Sequence, residues 1–142
     1  KARMGLRNVS SNLKVGGVFI GTVPDAYWIV KKLKSLKPHE LKFGNQIYSV
    51  SFEDRNNFPT FGHKYWFSLE DAIDDCPEYL VHFPTFEKMA EEYGLELIYK
   101  HGFHTIYDKE KEVPLYRDLL YKMKVIRHDM DAAMSKEEWE AA

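Results

Sequence analysis

One carboxylate is singled out by its neighbours. Glu78 stands in Asp75-Cys76-Pro77-Glu78-Tyr79-Leu80-Val81-His82-Phe83-Pro84, with a proline before it and a mostly apolar run after it. A carboxylate in such company is costly to dehydrate unless it meets a pair of donors. On the residues alone two readings stay open. Glu78 is a solvated acid at the start of a strand or loop, as most glutamates are, or it is turned inward to meet such a pair.

The remaining chemistry-bearing residues are dispersed. The six histidines are His39, His63, His82, His101, His104 and His128. His101 and His104 are close in sequence, but on an expected strand their spacing puts them on opposite faces. With the single cysteine far from both, no metal-ligand spacing is present, and no metal is expected. Glu70, Asp71, Asp74 and Asp75 lack the spaced loop and central glycine of a calcium site and read as a solvated acidic stretch. Gly16-Gly17 reads as a turn, since no third glycine completes a phosphate cradle. Cys76 has no basic neighbour in sequence to activate its thiol and reads as structural.

The elements that must position these residues follow from periodicity. Leu6, Val9 and Leu13 predict a helix that ends at Gly16-Gly17. Val18 to Pro24 predicts a short buried strand, ended by proline. Asp25 is placed to cap a helix with Ala26, Ile29, Val30 and Leu33 on its apolar face. Helix, strand and helix over residues 1–36 suggest part of an α/β sheet. Tyr48, Val50 and Phe52 alternate with polar residues, as do Tyr65, Phe67 and Leu69. That predicts a hairpin-like insertion within 43–82 whose aromatic faces meet. Phe86, Met89, Ala90 and Tyr93 form a helical stripe, with Pro84 near its start and Gly94 at its C-terminal turn. Leu95 to Lys100 reads as a strand continued by Phe103 to Tyr107. A helix with Leu115, Leu119, Leu120, Met123 and Ile126 inward completes the 83–142 portion. Ser135 and Glu138 form a capping box that starts a last helix at Lys136, with Met134 able to staple to Trp139.

Bulk properties narrow the classes. The 142 residues suffice for one domain with a core. An aromatic content of 15% favours a strand-rich core or a surface that stacks on flat ligands. A net charge of −2 argues against holding nucleic acid mainly by phosphate neutralisation, so an RNA partner would be read locally, at one base. One cysteine, Cys76, excludes an intrachain disulfide and suits a reducing compartment. No apolar run approaches the roughly 20 residues of a membrane span.

Several separated segments resemble the carboxy-terminal half of the eukaryotic mRNA cap guanine-N7 methyltransferases. Leu13 to Asp25 is similar to that family's L-x-x-G-G-x-F-I-G-T-x-P run. Phe43-Gly44-Asn45-Gln46-Ile47-Tyr48 and Phe61-Gly62-His63-Lys64-Tyr65-Trp66-Phe67 are similar to a second pair of segments. Pro77-Glu78-Tyr79-Leu80-Val81 with Phe83-Pro84 is a third, and Ser135-Lys136 with Glu138-Trp139-Glu140-Ala141 a fourth. Order and approximate spacing hold over nearly the whole chain.

The resemblance implies an α/β, partial class I (Rossmann-like) S-adenosylmethionine-dependent methyltransferase fold with a β-hairpin insertion. It implies S-adenosylmethionine as methyl donor, the capped 5′ end of mRNA as substrate and a nuclear site of action. Glu78 is then the acid that holds the guanine Watson–Crick edge, accepting from N1–H and N2–H₂ together. Pro24 would lie against the same base. Guanine N7 carries a free lone pair, so no general base is needed and alignment carries the catalysis. The family's donor-binding loop, ribose-binding acid and phosphate-gripping basic residues have no counterpart here, nor does its last strand with a cap-facing tyrosine. A linker that is long in relatives is shortened between Arg127 and Met134. Residues 1–142 are therefore expected to be the C-terminal portion of one methyltransferase domain, inactive alone and prone to self-association through an unpaired strand edge. Some relatives work with a small activating subunit, which here would dock near Pro114–Arg127. The alternatives are a non-catalytic cap- or RNA-binding module, or a structural half completed by another chain.

Overall fold

The computed structural model describes residues 1–127 and 133–142. The shortened connection between Arg127 and Met134 and the residue His128 lie, in part or whole, outside the described residues. Two compact units are present, Lys1–Gly44 with Ser49–Ile98, and Asn45–Tyr48 with Tyr99–Ala142.

The first unit begins with helix α1 (Ala2–Asn12), which buries Leu6 and half-buries Val9 and Leu13, as their spacing predicts. Helix α2 (Ala26–Ser35) starts at Asp25, whose carboxylate accepts from the N–H groups of Tyr27 (2.9 Å) and Trp28 (3.2 Å). Two of the donors that a helix start leaves free are thereby satisfied. Ile29 and Leu33 on its inner face are buried, Leu33 completely.

Four strands follow in the order β1-β2-β3-β4. They are β1 (Lys42–Gly44), β2 (Tyr48–Phe52), β3 (Lys64–Leu69) and β4 (Ile73–Tyr79). Antiparallel pairing joins β1 to β2 and β3 to β4. Tyr48, Val50 and Phe52 are all buried and the residues between them are not, the alternation expected of a half-buried strand. The expected meeting of aromatic faces is present, with the Phe52 and Tyr65 rings 5.7 Å apart. Trp28 of α2 meets Phe43 of β1 edge-on at 5.9 Å.

Arg55, in the connection between β2 and β3, holds the other end of α2. Its guanidinium donates to the carbonyls of Leu33 (3.1 Å), Leu36 (3.3 Å), Glu40 (3.0 Å) and Lys37. A cation at a helix C-terminus both supplies the missing donors and complements the helix dipole. Helix α3 (Phe83–Glu91) has proline in its first turn and buries Met89. Gly94 at φ +72° lets the chain reverse, and the Leu95 N–H returns to the Ala90 carbonyl at 3.1 Å. Ser10 Oγ donates to the Tyr93 carbonyl at 2.7 Å, and Arg3 pairs with Glu92, fastening α1 to this end of α3.

The second unit holds α4 (Phe103–Glu110), α5 (Pro114–Lys122) and α6 (Lys136–Ala141). The capping box is formed: Ser135 Oγ accepts from the Glu138 N–H, and Glu138 accepts from the Ser135 N–H. So short a helix needs a support. Trp139 stacks on His104 at 4.8 Å and meets Tyr107 edge-on, and the Asn45 amide donates to the Glu137 carbonyl at 3.0 Å. Asn45 also accepts from the N–H groups of Ile47 and Tyr48, closing the turn between β1 and β2.

Several expectations are corrected. Val18 to Pro24 carries neither strand nor helix, and Val18, Phe19, Ile20 and Val23 are exposed. Leu95 to Lys100 likewise forms no strand among the described residues, and Phe103 to Tyr107 is the start of α4 rather than a continued edge. An apolar run states that burial is favourable, but a strand also needs a neighbour to take its backbone hydrogen bonds. His101 and His104 consequently do not lie on one strand; His104 is in the first turn of α4. Along α5, Leu115 and Leu119 are exposed, as is Met123 just beyond it, while Ile126 alone of the expected stripe is buried. Cys76 is exposed on β4 and is not part of the core. The observed architecture is mixed α/β with a four-stranded antiparallel sheet.

Candidate functional site

Glu78 lies on β4, one of the two outer strands of the described sheet. Pro77, opposite Trp66, lacks an N–H to lend to a further strand, which suits an edge position. The pairing of β3 and β4 is irregular between Phe67 and Leu69, and Asp75 adopts a φ of +44°. Its N–H donates to Ser68 Oγ at 3.1 Å. Such a bulge re-aims the side chains that follow it.

The residue directly opposite Glu78 is Tyr65. Cross-strand partners in an antiparallel ladder share a face, and the Tyr65 hydroxyl donates to Glu78 Oε2. Tyr65 is 1% exposed and Glu78 is half-buried, between exposed Pro77 and Tyr79. Burial first, and then the hydrogen bond to the Glu78 carboxylate, push the Tyr65 phenol far above its ordinary range. It therefore remains a proton donor at physiological pH.

The strand is followed by a second tie. Leu80 donates its N–H to the His63 carbonyl at 2.9 Å, extending the ladder past Tyr79. His82 Nε2 then shares a hydrogen bond with the Tyr27 hydroxyl at 3.1 Å, and His82 Nδ1 one with Thr85 Oγ1 at 2.8 Å. Tyr27 is in the first turn of α2, shortly after Pro24 and the capping Asp25. The segment leaving Glu78 and the segment carrying Pro24 are thus linked through this His–Tyr pair. Pro24 itself is exposed.

The other sequence candidates separate from this site. His63 is buried against Phe52 and Phe58, with ring centroids 5.4 and 4.7 Å away. His101 lies beside Tyr99 and Lys109, and His104 under Trp139. Glu70, Asp71, Asp74 and Asp75 are exposed as expected, although Asp74 and Asp75 are strand residues rather than loop. Among the described residues no group of acidic, histidine or cysteine side chains is arranged to hold a metal. In the second unit a concavity of about 450 Å³ is lined by Tyr121, Lys122, Lys124, Ile126, Arg127 and Ala133. Its described lining carries cations and no carboxylate.

Gly16-Gly17 is a turn closed on itself. Gly16 has a φ of +76°, the Gly17 N–H donates to the Lys14 carbonyl at 2.8 Å, and a Cβ on Gly17 would lie 2.9 Å from that oxygen. The space that glycine provides is filled by the chain, not left for a ligand. No described helix is long and apolar enough to cross a membrane.

Two contributors carry little signal in the sequence. Tyr65 is legible there only as an inward aromatic, because its placement opposite Glu78 depends on the register across the bulge. The pairing of His82 with Tyr27 leaves no sequence signal at all.

The family model described as the mRNA (guanine-N(7))-methyltransferase domain matches residues 1–142. The chain is 44% identical over 144 residues to the mRNA cap guanine-N(7) methyltransferase of Cryptococcus neoformans var. neoformans serotype D, covering 100% of this chain and 23% of that protein. It is 44% identical over 145 residues to the mRNA cap guanine-N(7) methyltransferase of Schizosaccharomyces pombe, covering 100% of this chain and 40% of that protein. With the mRNA cap guanine-N(7) methyltransferase 1 of Arabidopsis thaliana it shares 38% identity over 150 residues, again 100% of this chain and 40% of the relative. The chain thus spans less than half the length of these relatives. Matched from end to end, it belongs to the mRNA (guanine-N(7))-methyltransferase domain family.

Proposed function

We propose that this chain supplies the guanine-recognising part of a nuclear enzyme that transfers a methyl group from S-adenosylmethionine to N7 of the mRNA cap guanine. Glu78 accepts from N1–H and N2–H₂ of the base, and Pro24 lies against its face. The observation that carries this reading is a half-buried carboxylate, held by a buried tyrosine on an edge strand, with the Pro24 segment tied to the same strand's exit through Tyr27 and His82. A carboxylate is the group whose two acceptors match the paired donors of guanine, and adenine has no such pair. N7 has no proton to lose, so the reaction asks this chain to orient the base rather than to act as a base itself.

The methyl donor finds no fit among these residues, since the one double-glycine turn is closed. We therefore assign it no residue here, and the chain by itself is inactive. The apolar segments Val18–Val23 and Leu95–Ile98, in which Val18, Phe19, Ile20, Val23, Leu97 and Ile98 are exposed, are the sort of strands that the rest of a Rossmann-like sheet would cover. Left uncovered, they favour self-association of the isolated chain. The exposed Leu115 and Leu119 of α5 and the nearby Met123 would be the place for a small activating subunit.

The test is methyl transfer by a full-length protein carrying this chain, with guanosine-capped and adenosine-capped RNA as acceptors. Methylation of guanosine at N7, absent with adenosine and strongly reduced by Glu78→Ala, is expected. Undiminished activity of the variant would remove Glu78 from the pocket.

A further inference from the structure

The reading of Glu78 as the guanine acceptor leaves open what keeps its carboxylate in one orientation, and any role for Tyr65 in doing so rests on that reading. A glutamate's terminal torsion is broad and roughly two-fold, so a solvated carboxylate samples planes that fit the base edge poorly. Accepting from N1–H and N2–H₂ together requires the carboxylate to lie in the plane of the base, with both oxygens forward. The Tyr65 ring, by contrast, has little freedom. It is 1% exposed, lies 5.7 Å from the Phe52 ring, and sits on the strand directly facing Glu78.

We infer that Tyr65 is a positioning residue for cap recognition: its hydroxyl, donated to Glu78 Oε2, holds the carboxylate in the plane that reads the N2 amino group of guanine. An ionised carboxylate offers about four lone-pair sites. One bond from Tyr65 therefore leaves each oxygen able to accept from the base. Because the phenol is kept protonated by its burial and by the adjoining carboxylate, the donor is always present. Without it the acid can still meet N1–H, but the second bond, to the amino group, loses its alignment. Tyr65 then governs discrimination more than overall affinity, which a residue that only packs would not do.

Inosine supplies the probe, since it keeps N1–H and lacks the N2 amino group. Dissociation constants are measured for a guanosine triphosphate-bridged cap dinucleotide and for its inosine counterpart, with a full-length protein carrying this chain. For the unaltered protein guanosine should bind tighter by roughly ten- to hundredfold, the range for a hydrogen bond to a charged group. Tyr65→Phe should contract that ratio by about three- to tenfold, the net worth of one hydrogen bond. Phe52→Leu, which loosens the same ring but leaves the hydroxyl, should lower the melting temperature and leave the ratio alone. In a Glu78→Gln background the Tyr65→Phe change should contract nothing further. Equal weakening of both ligands by Tyr65→Phe, or a contraction by Phe52→Leu as large as that of Tyr65→Phe, overturns the inference. A Tyr65→Phe protein that does not fold also overturns it, since the hydroxyl would then be structural. Failure of the unaltered protein to prefer guanosine over inosine would instead overturn the assignment of Glu78 to the base.

Discussion

Glu78 accepts from Tyr65, and in the function proposed for it also from the base, and substitution can separate the two partners. Glu78→Ala removes both interactions. The Tyr65 hydroxyl, on a residue 1% exposed, would then lie buried without its acceptor, which costs about 1–3 kcal/mol of stability. Glu78→Gln keeps an oxygen for Tyr65. If the amide carbonyl takes the phenol, the amide NH₂ faces the base, where a donor meets the donors N1–H and N2–H₂. The bidentate pair is lost, worth about 1–3 kcal/mol, and kcat/KM for guanosine-capped RNA should fall about 5- to 150-fold. Stability should change by less than about 0.5 kcal/mol, since the buried hydroxyl stays paired. The assay is steady-state methyl transfer beside thermal melting of the same full-length preparations. Gln and Ala should be similarly impaired in catalysis, with only Ala clearly less stable. A Gln variant with near-normal kcat/KM, or one that melts as early as Ala, would refute the two-partner role of Glu78.

The remaining predictions concern what holds the site. Asp25→Ala removes the acceptor for the Tyr27 and Trp28 N–H groups and should cost about 0.5–2 kcal/mol by denaturant unfolding. Because Asp25 sits between Pro24 and Tyr27, affinity for the mRNA cap should fall with it. Arg55→Met keeps the stem and removes the donors to five carbonyls at and just beyond the end of α2, so a loss of about 1–3 kcal/mol is expected, with the deficit insensitive to Lys replacement. Tyr48, buried and hydrogen-bonded to Glu140, has its phenol pushed up to about 12, mainly by burial. The unfolded chain releases that proton near pH 10 and the folded chain near 12, so its contribution is complete below about pH 10 and is lost as pH rises from there through about 12. Urea melts across that window should show a decline that Tyr48→Phe makes shallower.

Local signals are legible where chemistry between near neighbours decides the structure. The Asp25 cap, the Ser135–Glu138 box, the turn at Gly94 and the alternation through Tyr48, Val50 and Phe52 all depend on residues within one or two turns of each other. The acid proposed to meet the base, Glu78, is marked in the sequence by its apolar neighbours and by a segment that resembles a known family. Val18–Val23 and Leu95–Lys100 show the limit, since hydrophobicity marks both as strands while the backbone partners that make a strand are not beside them. Phe103–Tyr107 goes the same way, its aromatic run being equally at home on α4. The tertiary structure alone decided that Tyr65 faces Glu78, that His82 reaches Tyr27 and that Arg55 closes α2. Each of these joins residues from different elements, and strand register, bulge position and loop path set such distances. The amino-acid sequence thus determined which side chains seek burial or a partner, while the partners themselves were chosen by how the strands aligned.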